Sequence, residues 1–211
     1  IGTGLLLAVV VGSGIMGTKL SANNAVALLA NSIATGAGLF VLIALLMPIS
    51  GAHLNPAISL VDWANKRLTT GELVKYIVCQ ILGAIAGVFL AHLIFDLSIL
   101  QVSTNPRSGI NYYISEFIST LILLSVIYFG NKNSIKQIPI LVALTVMAGY
   151  WFTSSTFFVN PAVTIARNLT NTFTGIQRAD VIPFVVAQLM ATFIFIIITR
   201  SKKTFTVMTI L

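Results

Sequence analysis

The sequence contains the tripeptide Asn-Pro-Ala twice, and both copies have the chemistry of a helix start. Their residues are Asn55, Pro56 and Ala57 in the first copy and Asn160, Pro161 and Ala162 in the second. Asparagine is among the best N-capping residues, and proline is favoured at the first helical position, where its missing N–H is no loss. An asparagine carboxamide can also donate hydrogen bonds to the oxygen of an uncharged solute.

The rest of the chain is strongly apolar. Of 211 residues, 57% are hydrophobic and 8% are charged, whereas a soluble domain carries about 25% charged residues. A membrane-spanning helix needs about 20 mostly apolar residues, and the chain supplies several such runs. We therefore predict an integral, multi-pass membrane protein. Lysines and arginines at the ends of spans explain the net charge of +7 better than a nucleic-acid partner does.

Apolar runs predict six transmembrane helices. They cover about residues 1–17, 24–48, 73–97, 112–129, 138–154 and 180–199. Their length argues against a β-barrel, whose segments alternate over about ten residues. The first run is short, which favours a truncated span over a cleavable signal peptide. The single cysteine, Cys79, excludes an internal disulfide and is predicted to be a buried thiol.

Two apolar segments, 56–64 and 161–169, are too short to cross a bilayer, and each begins at an Asn-Pro pair. Non-helical backbone at membrane depth is tolerated only inside protein or beside a water-filled cavity, so we predict two re-entrant half-helices. The tripeptides recur at matching places in two halves, about 1–97 and 112–199. Three spans in each half give the halves opposite orientations, which predicts one channel domain over residues 1–211 built as an inverted repeat.

An inverted repeat brings the N-termini of the two half-helices together near the middle of the membrane. Each N-terminus carries about half a positive charge, so the pair is hostile to cations and protons. The asparagine amides beside it suit uncharged, hydroxyl-bearing solutes. The alternative, that each tripeptide is only a capped helix start, is disfavoured because two copies occupy corresponding positions.

The stretches SGAHLNPAISL at 50–60 and VNPAVTIAR at 159–167 resemble the signature loops of the aquaporin, or major intrinsic protein, family. The resemblance covers essentially the whole chain and includes Glu116, Gln80 and Gln188. It implies an all-α fold of six spans and two half-helices, a homotetramer with one pore per subunit, and passive transport without a cofactor or metal. It also implies that Glu116 braces the carbonyls of the re-entrant loops, with a partner just before Ile1.

The resemblance places a narrow filter at Thr35, Ala148, Phe157 and Val163, with Gly149 as the alternative to Ala148. Water-selective members have a bulky aromatic residue, histidine and arginine where this chain has threonine, alanine and valine. A filter without arginine is expected to be wider and less polar, which favours neutral solutes larger than water. With valine at this position, the chain resembles a bacterial branch of the family. Its members look similar to channels associated with arsenic resistance, which pass neutral arsenic species.

Three further side chains carry open alternatives. Arg167 lies one helical turn beyond Val163. It either sets a positive potential in the outer vestibule or is a solvated or headgroup-bound arginine, for which Asp180 is a candidate partner. His53 is expected to line the cytoplasmic half of the pore, with a packing role in the loop as the alternative. His92 is expected to be packed or interfacial.

The distribution of basic residues predicts that both termini are cytoplasmic, because more lysines and arginines then lie inside than outside. The inside set is Lys66, Arg67, Lys75, Lys132, Lys136, Arg200, Lys202 and Lys203, and the outside set is Lys19, Arg107, Arg167 and Arg178. The short loops and the lack of long tails favour a bacterial inner membrane as the location.

The sequence therefore predicts a passive channel for small uncharged solutes, namely metalloid hydroxides such as arsenite, polyols such as glycerol, and water. A water-selective pore narrowed by Phe157 is the alternative. An ion-coupled transporter normally has ionisable groups at mid-membrane. It is disfavoured because Glu116 is the one plausible group of this kind, and the resemblance gives Glu116 a structural role. An enzyme is disfavoured because five acidic residues and two histidines form no catalytic or metal-ligating motif.

Overall fold

The computed structural model describes residues 1–133 and 137–208, with side chains up to residue 200. Three lysines assigned above to the inside, Lys136, Lys202 and Lys203, have side chains outside that part. The described chain is all helix, without a strand, which confirms the predicted all-α fold. Its helices are α1 (Gly2–Leu20), α2 (Asn24–Ser50), α3 (Pro56–Ala64), α4 (Thr70–Ile94), α5 (Ile110–Lys132), α6 (Ile138–Phe152), α7 (Pro161–Arg167) and α8 (Arg178–Met208).

Five helices in the described part are long and apolar enough to cross a membrane, namely α1, α2, α4, α5 and α8. The sixth predicted span, α6, is apolar but has 15 residues. At 1.5 Å per residue it is about 22 Å long, which is less than the roughly 30 Å of a bilayer core. Helices α3 and α7 have nine and seven residues, the lengths of half-helices.

The polarity of the surface and the interior is that of a membrane protein. Apolar side chains such as Leu93 and Ile197 are 68% and 66% exposed, and lipid is the solvent that suits them. Polar side chains such as Glu116 and Gln188 are fully buried, where they can bond only to other protein groups or to a water-filled path. Cys79 is exposed on α4, so the prediction of a buried thiol is wrong.

Helices α1 and α4 pack closely because glycines face each other at their contact. A Cβ atom built on Gly4 would lie 2.9 Å from the carbonyl oxygen of Gly83, and one built on Gly87 would collide with the Gly4 carbonyl. Small residues allow this close approach between membrane helices. Helix α4, held against α1 by this contact, also packs on the half-helix α3.

Corresponding helices of the two halves make corresponding contacts. Helix α1 packs on α2 and α4, and α5 packs on α6 and α8. Half-helix α3 lies against α4, and α7 lies against α8. These pairings support the internal repeat, while its bounds at 1–97 and 112–199 stay a prediction.

Candidate functional site

Both half-helices begin at the predicted asparagines. The Oδ1 atom of Asn55 accepts a hydrogen bond from the N–H of Ala57 at 2.9 Å. The Oδ1 atom of Asn160 accepts from Ala162 at 3.0 Å and from Val163 at 3.3 Å. Each tripeptide therefore caps its own helix, with proline as the first helical residue.

The same asparagines also join the two half-helices to each other. The Nδ2 atom of Asn55 donates to the carbonyl of Val159 at 2.8 Å, and the Nδ2 atom of Asn160 donates to the carbonyl of Leu54 at 2.9 Å. Since a carboxamide nitrogen carries two hydrogens, each asparagine retains one N–H. Both side chains line the central cavity, so these N–H groups are available to a solute.

The chain segments that lead into the half-helices adopt unusual backbone angles in matching places. Ala52 and Leu54 have φ of 47° and 53°, and Phe157 and Val159 have φ of 57° and 47°. Left-handed angles are costly for residues with a side chain, and for β-branched valine above all. Such residues cost about 1–3 kcal/mol each and persist where the surroundings hold them. Both loops are therefore held by contacts from elsewhere in the fold.

Glu116 supplies that contact for the second loop. Its carboxylate is fully buried and accepts from the backbone N–H groups of Phe158 at 3.0 Å and Val159 at 2.8 Å. It also accepts from Nε2 of Gln188 at 2.6 Å. The resemblance implied a brace on loop carbonyls, but a carboxylate accepts hydrogen bonds, so the braced groups are N–H groups. The carbonyl of Val159 is held by Asn55 instead.

The two predicted glutamines brace the half-helices by the same geometry. Nε2 of Gln80 donates to the hydroxyl of Ser59 at 3.0 Å, and Nε2 of Gln188 donates to that of Thr164 at 2.9 Å. Each hydroxyl donates in turn to the carbonyl of the capping asparagine four residues earlier. The equivalence of these contacts is the strongest local support for the internal repeat.

A cavity of about 280 Å³ runs past the meeting point of the half-helices. Asn55 and Asn160 line its middle. Arg167, at the end of α7, lines it on one side, and Asp62, near the end of α3, and Arg67, three residues beyond that helix, line it on the other. Because α3 and α7 meet at their N-termini, their C-terminal ends lie at opposite ends of the cavity.

Four side chains in the cavity wall bear on the predicted filter. Three of them, Thr35, Phe157 and Val163, belong to the predicted filter, and the fourth is Tyr150. The hydroxyl groups of Thr35 and Tyr150 lie 3.2 Å apart and share a hydrogen bond. This part of the wall therefore offers two hydroxyls among aromatic and aliphatic surface, and it is more polar than the sequence predicted.

Ala148 is the one predicted filter residue that the structure does not bring to the cavity. It is exposed on the outer side of α6, whereas Val142, Val146 and Tyr150 line the cavity at intervals of four residues. Ala148 and Tyr150 are about 200° apart around a helix, so they face opposite ways. The alternative, Gly149, is buried behind the ring of Phe157. Tyr150 was missed because counting from Asn160 does not fix the rotation of α6.

Placing the same large side chain on the two faces of α6 tests this assignment. We expect Val146→Phe to obstruct the cavity and reduce solute flux about tenfold, or about 1.4 kcal/mol in barrier height. We expect Ala148→Phe to leave flux unchanged, since that position is exposed. Flux would be measured in vesicles with equal amounts of each variant. If Ala148→Phe reduced flux and Val146→Phe did not, Ala148 would belong to the filter as the sequence predicted.

Arg167 lies against the cavity rather than in bulk solvent. It is 2% exposed, its Cζ atom lies 3.5 Å from the ring centre of Phe158, and its Nε donates to the carbonyl of Thr174. Asp180 does not pair with it, since the Asp180 carboxylate accepts from the backbone N–H of Arg107 and from two other groups. The solvated, Asp180-paired alternative is therefore wrong. The cavity does contain an arginine, one turn beyond Val163.

His53 both lines the cavity and packs in its loop. Its Nδ1 lies 3.1 Å from the hydroxyl of Ser59, and its Nε2 lies 3.1 Å from a carboxylate oxygen of Asp62. The same carboxylate contacts Arg67 at 3.3 Å. Sequence reasoning missed Asp62, although its position seven residues after Asn55 places both on one face of the half-helix.

His92 has a packing role, as expected. It is fully buried, and its Nδ1 lies 2.9 Å from the carbonyl of Ile99, which can only accept. Nδ1 therefore carries the hydrogen, and Nε2 accepts from the hydroxyl of Thr170 at 2.8 Å. Within the described residues, no group of three His, Cys, Asp or Glu side chains is placed to hold a metal ion.

Apolar helices around a cavity where two half-helices meet define a multi-pass membrane channel. Residues 1–156 match the Major intrinsic protein family, and the chain belongs to this family. The aquaglyceroporin AqpS of Rhizobium meliloti (strain 1021) is 50% identical over 190 residues, which are 90% of this chain and 82% of AqpS. An aquaglyceroporin of Toxoplasma gondii is 31% identical over 149 residues, 68% of this chain and 56% of that protein.

A solved structure shares the fold. The X-ray structure of the aquaglyceroporin from Plasmodium falciparum matches with a TM-score of 0.72 and 20% identity, over 93% of this chain and 90% of that one. Family membership confirms the predicted class: the chain is a passive membrane channel for small neutral solutes and water, and not an enzyme.

Proposed function

We propose that this channel conducts neutral solutes larger than water, such as glycerol and arsenite, together with water. The observation that carries the proposal is Val163. This small apolar side chain lines the cavity at the position where the resemblance places the filter arginine of water-selective channels. Without a long charged side chain there, a solute with several hydroxyl groups has room to pass.

The cavity wall suits such solutes chemically. Most of its surface is aliphatic or aromatic, and about a third of the lining residues carry a polar or charged side chain. The N–H groups of Asn55 and Asn160 can donate to a solute oxygen, and the hydroxyls of Thr35 and Tyr150 can donate or accept. Arsenite is a neutral trihydroxy acid near pH 7, and glycerol also carries three hydroxyls. A few placed polar groups in an apolar passage orient a neutral polyol without holding it tightly.

Arg167 supplies the positive charge that Val163 does not. Its guanidinium lies beside the cavity near its α7 end, in surroundings of low polarity where a charge acts over a longer distance than in water. We propose that it sets a positive potential in the outer vestibule and repels cations. The charge is placed one turn beyond the filter, so it leaves the width at Val163 unchanged.

The proposal includes an orientation and an assembly. Both termini lie in the cytoplasm, so the Asp62 end of the cavity faces inward and the Arg167 end faces outward. The excess of inside lysines and arginines supports this orientation. A homotetramer with one pore per subunit follows from the family resemblance. A bacterial inner membrane fits the bacterial source of AqpS.

A water-selective pore is the second candidate. Phe157 and Tyr150 are large, buried and face the cavity close to Val163. These two aromatic side chains can narrow the pore even though Thr35 and Val163 are small. This candidate predicts water flux without glycerol or arsenite flux.

Stopped-flow measurements on reconstituted vesicles separate these functions. We expect water, glycerol and arsenite to cross at neutral pH faster than in protein-free vesicles, with a weak temperature dependence and no response to a proton or sodium gradient. Water flux alone would establish the second candidate. Solute flux driven by an ion gradient would establish a coupled transporter and contradict the channel.

A further inference from the structure

A second cavity, of about 520 Å³, adjoins the α7 end of the pore. We call it the outer basin and define it by Asn31, Asn105, Arg107, Trp151, Thr156 and Arg167, which are among the residues that line it. Arg167 lines both this basin and the pore cavity. A ligand held in the basin would therefore sit at the entrance of the pore.

Arg167 presents unused donors to this region. Its Nε bonds to the carbonyl of Thr174. Within the described part of the chain, its two terminal nitrogens have no hydrogen-bond acceptor, although the residue is 2% exposed. An arginine with a fixed Nε and two free terminal nitrogens is oriented for a ligand that can accept hydrogen bonds.

Arg107 lies against the same aromatic ring, that of Phe158, and lines the same basin. Its Nε donates to the carbonyl of Gly175 at 2.9 Å, and its Nη1 lies 3.3 Å from Oγ1 of Thr156. Its Cζ lies 4.9 Å from the ring centre of Phe158, and that of Arg167 lies 3.5 Å from the same centre. Two guanidinium groups are thus held close to one phenyl ring.

In the part of the chain that the structure describes, no carboxylate forms an ion pair with either guanidinium group. Among the described side chains, both ion pairs within 4.0 Å involve Asp62, at the opposite end of the pore. The carboxylate of Asp180 accepts from the Arg107 backbone, Ser108 and Gln177. The carboxylate of Glu116 is committed to the loop backbone and Gln188. Neither acid lines the basin, so the surface that a ligand meets is cationic.

We propose that the outer basin binds a small oxyanion, such as a carboxylate or inorganic phosphate, between Arg107 and Arg167. Guanidinium groups match the geometry of these anions and bind them through paired, charge-assisted hydrogen bonds. The two positive charges cost free energy when they stand alone, and a bound anion offsets that cost. The binding itself does not depend on which neutral solute the pore conducts, and only the location outside the cell rests on the proposed orientation.

Tryptophan fluorescence tests the site without any flux measurement. The chain has two tryptophans. Trp151 lines the basin, whereas Trp63 lies near the opposite end of the pore, beside Thr70. Trp63→Phe therefore leaves one reporter. In phospholipid-free detergent, iodide serves as an anionic quencher and acrylamide as a neutral one. Clefts lined by one sign of charge enrich counter-ions about tenfold or more.

We expect iodide to quench Trp151 several-fold more strongly, relative to acrylamide, than it quenches free tryptophanamide. Added inorganic phosphate should suppress the iodide quenching with a saturable dependence. The double variant Arg107→Gln/Arg167→Gln should lose both effects and keep its acrylamide quenching. Arg178→Gln, an exposed arginine at the start of α8, is the matched control and should behave as native.

If the double variant does not fold, Arg107→Gln alone should reduce the iodide effect, and Arg167→Lys, which keeps the charge, should retain most of it. Iodide quenching that is equal in native and double-variant protein would overturn the proposal. So would phosphate protection that persists without the arginines. Protection that appears only when phospholipid is added would assign the basin to a lipid headgroup rather than to a free oxyanion. A protein that conducts no solute at all but shows the quenching pattern would leave the basin proposal intact.

Discussion

Val163→Arg is expected to stop the passage of glycerol and arsenite through this channel while water continues to pass. Val163 lines the cavity at its α7 half and is 5% exposed, so an arginine there must occupy the passage. Its donors would hold water in place of a larger solute. Its charge would also add to that of Arg167 on the next turn. We expect glycerol flux to fall about tenfold or more, at least about 1.4 kcal/mol of barrier height.

Val163→Met separates width from charge in the same stopped-flow assay. Methionine is long and flexible but neutral, so we expect a smaller loss of glycerol flux than with arginine. Equal losses in the two variants would mean that width alone sets selectivity. Unchanged glycerol flux in Val163→Arg would contradict the proposed filter and leave Phe157 and Tyr150 as the residues that determine it.

The half-helices were predictable because their causes are local. An N-capping asparagine and a first-turn proline act within three residues, so the sequence placed the starts of α3 and α7 at Pro56 and Pro161, where the structure has them. The cross-bonds from Asn55 to Val159 and from Asn160 to Leu54 were not predictable. They join residues more than 100 positions apart and depend on how the two halves meet.

The filter residue on α6 could not be identified by counting residues along the sequence. The filter residue was placed by its distance along the chain from Asn160, through a segment of extended and left-handed residues. A shift of two positions along a helix turns a side chain by about 200°, which is enough to exchange Ala148 for Tyr150. The four-residue spacing of Val142, Val146 and Tyr150 was visible in the sequence, but all of α6 is apolar, so no polar face marked the correct side.

Arg167 shows that charge alone does not indicate exposure. An arginine at the end of a short helix was expected either at the vestibule or in solvent. Its burial follows from Phe158 and the Thr174 carbonyl, which belong to the two segments flanking α7. Neither contact has a sequence pattern of its own, since aromatic residues are spread throughout this chain.

Glu116→Ala is expected to cost more stability than any substitution at the pore wall. It would leave the N–H groups of Phe158 and Val159 without an acceptor, together with one N–H of Gln188, whose Nε2 would keep only its bond to Thr164. Each unsatisfied buried donor costs about 1–3 kcal/mol, so we expect a loss of at least about 3 kcal/mol. The left-handed Val159 would then lose its restraint, and Asn55 would lose the fixed carbonyl it bonds to. Thermal unfolding in detergent measures the first effect, and glycerol flux measures the second.

Two glutamate-to-glutamine variants distinguish a specific brace from a general need for acidic residues. Glu116→Gln keeps the shape and one acceptor oxygen but turns the other position into a donor, which would face an N–H group. We expect an intermediate loss of stability and reduced flux. Glu72→Gln, at the exposed start of α4, keeps the capping geometry with Thr69 and should change neither quantity, because glutamine also serves in a capping box. Native unfolding temperature and flux in Glu116→Gln would show that the second loop is held by packing, and that the carboxylate is not what keeps Val159 in its left-handed conformation.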